Sequence, residues 1–266
     1  MKKVIIISSM ASALFCGDIS GVSYFNYAIG DVDADEAHGF SIERVYFTYT
    51  NDVSENVKFK FQTDVVNQEG DGLQLYLKNA NMEYAATKNI TFIYGLQGMN
   101  IFGDQETNWG NRYLAKISMD ENKWGPSADL GVGVLVNFNR MTASVLLTNG
   151  EGYKNTSVDG NERISAAVGY YYGDIDDMSF NVGGVSSILN YDAVVSTDDT
   201  EDRAGGTETL MGVFGGFSGF GFKGGAEYNM GTDLNLNEYA TNATLMSLYG
   251  NYAISFIDGL SILVRC

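Results

Sequence analysis

Lys58 and Lys60 stand two residues apart in the segment Val57–Val65, written VKFKFQTDV. On an extended chain, successive side chains point to opposite faces, so this spacing puts both ammonium groups on one side with Gln62 and Asp64. Arg44 and Glu83 fall in the polar phase of the periodic runs before and after this one. Arg112, Arg163, Lys223 and Arg265 are further isolated cations, interleaved with Asp129 and Glu227. Charges strung along strand faces attract, repel and steer ions; they do not by themselves make or break bonds.

Bond-making chemistry finds few residues here. His38 is the only histidine and lies in an acidic stretch, and no nucleophile-elbow glycine pattern accompanies a serine. Zinc would lack ligands, with one His and only Cys16 and Cys266. Gly215-Gly216 and Gly224-Gly225 have no helix after them, so they are not nucleotide loops; close strand approach or bending explains them. Composition alone leaves a two-carboxylate glycosidase open, although the carboxylates concentrate in loops. The expectation is no enzyme, no cofactor and no metal. The acidic runs Asp31–Glu36, Glu69–Asp71, Asp174–Asp177 and Asp198–Asp202 read as solubilising loops. Calcium binding is the alternative, and none has EF-hand spacing.

The elements that must position these charges are strands. A helix would put Phe59 and Phe61 roughly 200° apart, whereas a strand sorts Val57, Phe59, Phe61, Thr63 and Val65 onto one face. In Phe40–Thr50, Val45, Phe47 and Tyr49 alternate against Arg44, Tyr46 and Thr48. In Leu73–Tyr84, Tyr76, Ala80, Met82 and Tyr84 alternate against Leu77, Asn79, Asn81 and Glu83. Ile90, Phe92, Tyr94 and Leu96 share a face. Hairpins follow at Leu130–Thr148, Arg163–Ile188 and Leu210–Met230, with last candidates at Thr244–Ile254 and Leu260–Arg265. The pattern predicts about thirteen strands. Short connections such as Asn139–Arg140 alternate with long polar ones at Asn67–Gly72, Asn149–Glu162, Leu189–Thr209 and Gly231–Thr241. The longest irregular segment, Met99–Ser127, holds both tryptophans and the only proline. It reads as a loop with internal order; a further strand at RYLAKISM, or a loop folded inward, are the other readings.

With 32 Gly, 17 Tyr, 15 Phe and one Pro, the composition favours strands and turns. No long apolar run follows the N-terminus, but a spanning strand needs only about 9–11 residues of alternating polarity. A meander with short turns at one end and long loops at the other is the pattern of an outer-membrane barrel. Lys58 and Lys60 facing lipid would cost about 2–4 kcal/mol each at the midplane, so they face a water-filled interior. The net charge of −17 argues against nucleic acid as a partner. Residues 1–16 read as an export signal: Lys2 and Lys3, an apolar stretch from Val4 to Met10, then small residues. The expected division is therefore a signal at 1–16 and a β-barrel pore domain at 17–266.

Three stretches carry a resemblance: FSIERVYFTYTNDVSENVKFKFQTDV, LKNANMEYAATKNITFIYGLQGMNIFG and DLGVGVLVNFNRMTASVLLTNGEG. In their order they resemble bacterial outer-membrane porins of the phosphate-selective porin O/P type. The resemblance covers about half the chain well and is specific for the barrel class, not for the solute. It implies an all-β, transmembrane, antiparallel up-and-down barrel of 16 strands, a homotrimer, insertion by the barrel assembly machinery and a home in outer-membrane lipid. The chain stops at Leu263-Val264-Arg265-Cys266 rather than on a terminal aromatic strand, so roughly three strands are expected to be missing. Phosphate selectivity in the family depends on dense inward Arg and Lys; here the cations are sparse, so it does not carry over, and an anion preference stays open. The expected function is passive diffusion of small hydrophilic solutes or anions, with Arg44, Lys58, Lys60, Asp64, Glu83, Arg112, Arg163 and Lys223 lining the pore. A secreted soluble β-sandwich or adhesin is the alternative.

Overall fold

The computed structural model describes residues 17–28, 39–68, 72–155, 159–173, 178–192, 205–236, 239–254 and 260–266. The expected export signal, His38 and the four acidic runs lie outside the described residues. Among the described residues, thirteen strands form one sheet in which each pairs antiparallel with its sequence neighbours. They are β1 (Asp18–Ala28), β2 (Gly39–Ser54), β3 (Val57–Gln68), β4 (Gly72–Ala85), β5 (Ile90–Gly98), β6 (Ala128–Phe138), β7 (Met141–Thr148), β8 (Arg163–Gly173), β9 (Met178–Tyr191), β10 (Gly206–Gly219), β11 (Phe222–Leu236), β12 (Tyr239–Ala253) and β13 (Ser261–Arg265). Two short helices, α1 (Gly103–Trp109) and α2 (Ser118–Glu121), lie between β5 and β6. β1 and β13 are the ends of the sheet, with no ladder joining them among the described residues.

Register assigns the faces. Tyr46 lies opposite Asp64, Thr48 opposite Gln62, Thr50 opposite Lys60 and Asp52 opposite Lys58, so the polar residues of β2 and β3 share one face. The other face carries exposed apolar side chains from one end of the sheet to the other, among them Tyr94, Met211, Val213, Met246 and Leu248. An apolar surface this extensive is unsuited to water and suits lipid. Aromatics gather near its rims: Tyr84, Phe138, Tyr172, Phe222 and Tyr252 toward the short turns, Phe25, Tyr27 and Phe40 toward the long loops. A two-sheet sandwich is overturned by this arrangement, because the described strands all belong to one sheet and its apolar face points outward. Among the described residues no helix is long and apolar enough to cross a membrane.

The β10–β11 turn shows why short connections suffice. Gly219 pairs with Phe222, and the two residues between them, Phe220 and Gly221, both have positive φ, 56° and 77°. That is the backbone of a turn whose twist matches the flanking strands.

Three expectations are corrected. Gly231–Thr241 is not a long loop: β11 and β12 run on through a register shift between Gly231 and Leu234, and Asp233 takes a positive φ of 52° there. Residues 69–71 alone separate β3 from β4. In β4 the alternation breaks between Gln62 and Thr63 of the partner strand, which pair with Asn79 and Leu77. Lys78 is the extra residue of this bulge. Tyr76 therefore joins Asn79 on the polar face, and Leu77 joins Ala80 on the lipid face.

A lumenal segment and the lane it leaves open

The segment 99–127 folds into the space the sheet encloses and docks on one side of it. Its apolar residues Ile101, Phe102, Trp109, Ile117, Met119 and Trp124 bury against Leu146, Val185, Leu210, Phe214, Leu234 and Tyr249 of the inner wall. Each such side chain removed from water contributes about 1.5–3 kcal/mol, so this half of the interior is a packed core and not the uniformly wet lumen expected from the polar faces.

Polar bonds fix the segment's position. Asn100 donates to Ser144 Oγ at 3.0 Å and accepts from Ser165 Oγ at 2.7 Å. On α1, Asp104 accepts from Tyr171 Oη at 2.5 Å and Gln105 donates to Asn229 Oδ1 at 3.3 Å. Asn108 and Asn181 exchange two amide bonds at 2.9 and 2.8 Å. Ser118, opening α2, donates to Glu227 at 2.8 Å. Arg265 lies over the Trp109 ring at 4.6 Å and donates to the Lys116 carbonyl at 2.6 Å. All these wall partners belong to β7, β8, β9, β11 and β13.

The opposite wall, β2 to β5, stays clear. A cavity of about 410 Å³ remains there, lined from the wall by Tyr46, Lys60, Gln62, Lys78, Asn79, Asn81, Glu83 and Ile93, and from the segment by Glu106, Arg112 and Asp120. A second cavity of about 340 Å³ shares Lys60, Asn81 and Glu83 with it and continues to Asp52 and Lys58 near the short-turn end. Together they form a lane along the inner face. The bulge aims Lys78 into this lane, where its ammonium donates to Tyr46 Oη at 3.2 Å. Burial, then repulsion from Asp120, raises the Glu106 pKa above its ordinary value.

A second inward fold shapes the mouth. Asp129 accepts from the backbone N–H groups of Gly150 at 2.5 Å and Gly152 at 3.2 Å, turning the chain after β7 back over β6. Tyr153 then reaches β3 and donates to Asp64 Oδ2 at 2.5 Å. Arg44 donates to the same carboxylate oxygen at 3.3 Å. Lys78 sits 5.6 Å from the Tyr153 ring, and Lys154 sits 4.8 Å from the Tyr76 ring. Burial and the bond to Asp64 push the Tyr153 phenol well above the usual tyrosine range.

The structure separates the sequence-derived candidates into three groups. Lys58, Lys60, Glu83 and Arg112 border the lane. Arg44 and Asp64 form the mouth cluster, and Asp64 is fully buried. Arg163 and Lys223 are on the inner face but away from the lane. Arg163 is buried with Glu208 at 2.8 Å and Ser187 at 2.9 Å. Lys223 lies under the α1 terminus at Gly110. Sequence reasoning missed Lys78, Glu106, Asp120 and Tyr153. The first is hidden by a bulge, and the others sit in segments without strand periodicity.

No protein family and no curated protein sequence matches the chain. Solved structures do. OmpT of Vibrio cholerae lacking its loop L8 superposes with a TM-score of 0.59 at 13% identity, covering 94% of this chain and 80% of that one. OprB of Pseudomonas putida gives 0.59 at 12%, covering 94% and 74%. The outer membrane channel DcaP of Acinetobacter baumannii gives 0.56 at 15%, covering 94% and 77%. An in-vitro folded trimer form of the Vibrio OmpT gives 0.53 at 14%, covering 90% and 74%. The fold is that of bacterial outer-membrane β-barrels.

Proposed function

We propose that this protein is an outer-membrane porin through which small hydrophilic solutes and ions diffuse passively. The observation that carries the reading is the lane: a charged, continuous inner surface on β2–β5, left open by a segment anchored to the facing wall. A wall apolar outside and polar inside is what a water-filled passage through lipid requires. Lys58, Lys60, Glu83, Arg112 and Lys78 line the passage in this reading. Arg44 and Asp64 shape its entrance, and Arg163 and Lys223 brace the lumenal segment's side. Cations and carboxylates both line the lane, which favours a mild ion preference over dedicated phosphate selection. Likeness to an outer membrane channel and to a trimer form supports a channel in outer-membrane lipid, assembled as a homotrimer. Insertion by the barrel assembly machinery belongs to the same reading.

The test is conductance in planar bilayers under a salt gradient, using protein extracted from outer membranes. Stepwise conductance is expected, with a reversal potential that moves toward cation preference in Lys58→Glu with Lys60→Glu. Absence of any conductance overturns the reading.

A further inference from the structure

Five charged side chains face the 410 Å³ cavity without being paired to one another: Lys60, Lys78 and Arg112 against Glu83 and Glu106. Among the described residues none of them has an ion-pair partner, whereas Asp120, also at the cavity, is held by Lys116 at 3.4 Å. Opposite charges so near each other would ordinarily collapse together. Here the fold keeps them apart. Lys78 is tied to β2 through Tyr46 Oη at 3.2 Å and through the Tyr46 ring at 4.8 Å. Glu106 rides on α1, whose Asp104 and Asn108 are bonded to β8 and β9 across the interior. Neither anchor can follow the other charge.

The geometry points to a site selective for zwitterions, small solutes carrying an ammonium and a carboxylate at once. The inference rests on the pore reading and names the substrate class of that lane. A solute with a single charge is attracted by the groups of opposite sign and repelled by the rest. A solute with both charges satisfies Lys78 and Glu106 together, its carboxylate on the wall side and its ammonium on the α1 side. Asn79, Asn81 and Gln62 line the same space and supply neutral hydrogen-bonding groups that penalise neither end. The cavity volume suits a solute of amino-acid size.

The experiment measures KCl current through the reconstituted protein while γ-aminobutyrate, butyrate or butylammonium is added. γ-Aminobutyrate is expected to reduce the current at about tenfold lower concentration than either singly charged relative, the worth of one additional charge-assisted hydrogen bond. Lys78→Met should erase that advantage and leave butylammonium the better blocker; Glu106→Gln should erase it in favour of butyrate. Heat-modified migration on gels verifies that each variant is folded. Equal potency of the three solutes in the natural protein overturns the inference while leaving the pore intact, as does a zwitterion advantage that survives both substitutions. Loss of all current in the natural protein overturns the pore reading itself.

Discussion

Asn108 on α1 and Asn181 on β9, 73 residues apart in sequence, exchange both of their amide hydrogen bonds. The pair stands over Gly216 of β10, where a Cβ atom would overlap the Asn108 amide. A glycine in mid-strand thus marks the point where the lumenal helix touches the wall.

Gly216→Val is therefore expected to lift α1 from its seat. The buried Asn108 amide would lose its partner, at a cost of about 1–3 kcal/mol for a group left unsatisfied. Single-channel conductance should rise and become noisier as the lane widens. The temperature of heat-modified migration should fall. Unchanged conductance in a folded variant would show that α1 does not bound the passage.

Tyr153→Phe keeps the ring that packs on Tyr76 and removes the bond to Asp64. The carboxylate is then left to Arg44 alone, and the chain after β7 should swing from the mouth. Loss of a hydrogen bond to a buried charge costs about 1.5–3 kcal/mol, seen here as more frequent voltage-induced closures or openings. The bond also has a pH signature. The Tyr153 pKa is raised by burial and by the Asp64 carboxylate, so its contribution is complete below the pKa of an unfolded tyrosine. It is lost only as pH rises through the higher folded value. In an ultraviolet titration, the tyrosines that ionise after the exposed ones should be fewer by one in the variant.

Glu106 predicts a pH dependence of ion preference. Burial and Asp120 raise its pKa, while Lys78, Arg112 and Lys116 oppose the shift. The folded protein accordingly holds this proton more tightly than the unfolded chain. The resulting stabilisation is full below the unfolded glutamate pKa and disappears as pH rises through the folded one. As pH falls into that window, above the usual carboxylate range, the lane loses a negative charge. The reversal potential in a KCl gradient should move toward anion preference. In Glu106→Gln that early step should vanish and only the shift of ordinary carboxylates remain.

Most of the sheet was legible because lipid on one side and water on the other imposes period two. VKFKFQTDV, for example, admits no other sorting. Lys78 was not legible. The one trace of the bulge is a change of apolar phase, from Leu73, Leu75 and Leu77 to Ala80, Met82 and Tyr84, which does not say which residue is the extra one, yet the bulge decides which way a lane cation points. The lumenal segment was hidden for a different reason. Ile101, Phe102, Ile117, Met119 and Trp124 follow no strand period, and their partners lie on strands far along the chain. The same holds for Arg163, which reads as a pore cation because its phase is right. Only packing reveals that the segment covers it.

That covered arginine carries the last prediction. Arg163 and Glu208 are 3% and 7% exposed and 2.8 Å apart, with Ser187 on the same guanidinium. A pair this buried loses its hydration on both sides, so its net contribution is small, while removing one partner takes the counter-charge from the other. Arg163→Met should destabilise the protein by about 3–5 kcal/mol, the cost of breaking a buried pair. Arg163→Met with Glu208→Leu should recover most of that loss, since apolar side chains can replace the pair in the adjoining core. Because neither residue borders the lane, the double variant should keep the ion preference of the natural protein. A shifted reversal potential in a stable double variant would place Arg163 on the ion path and contradict its position here.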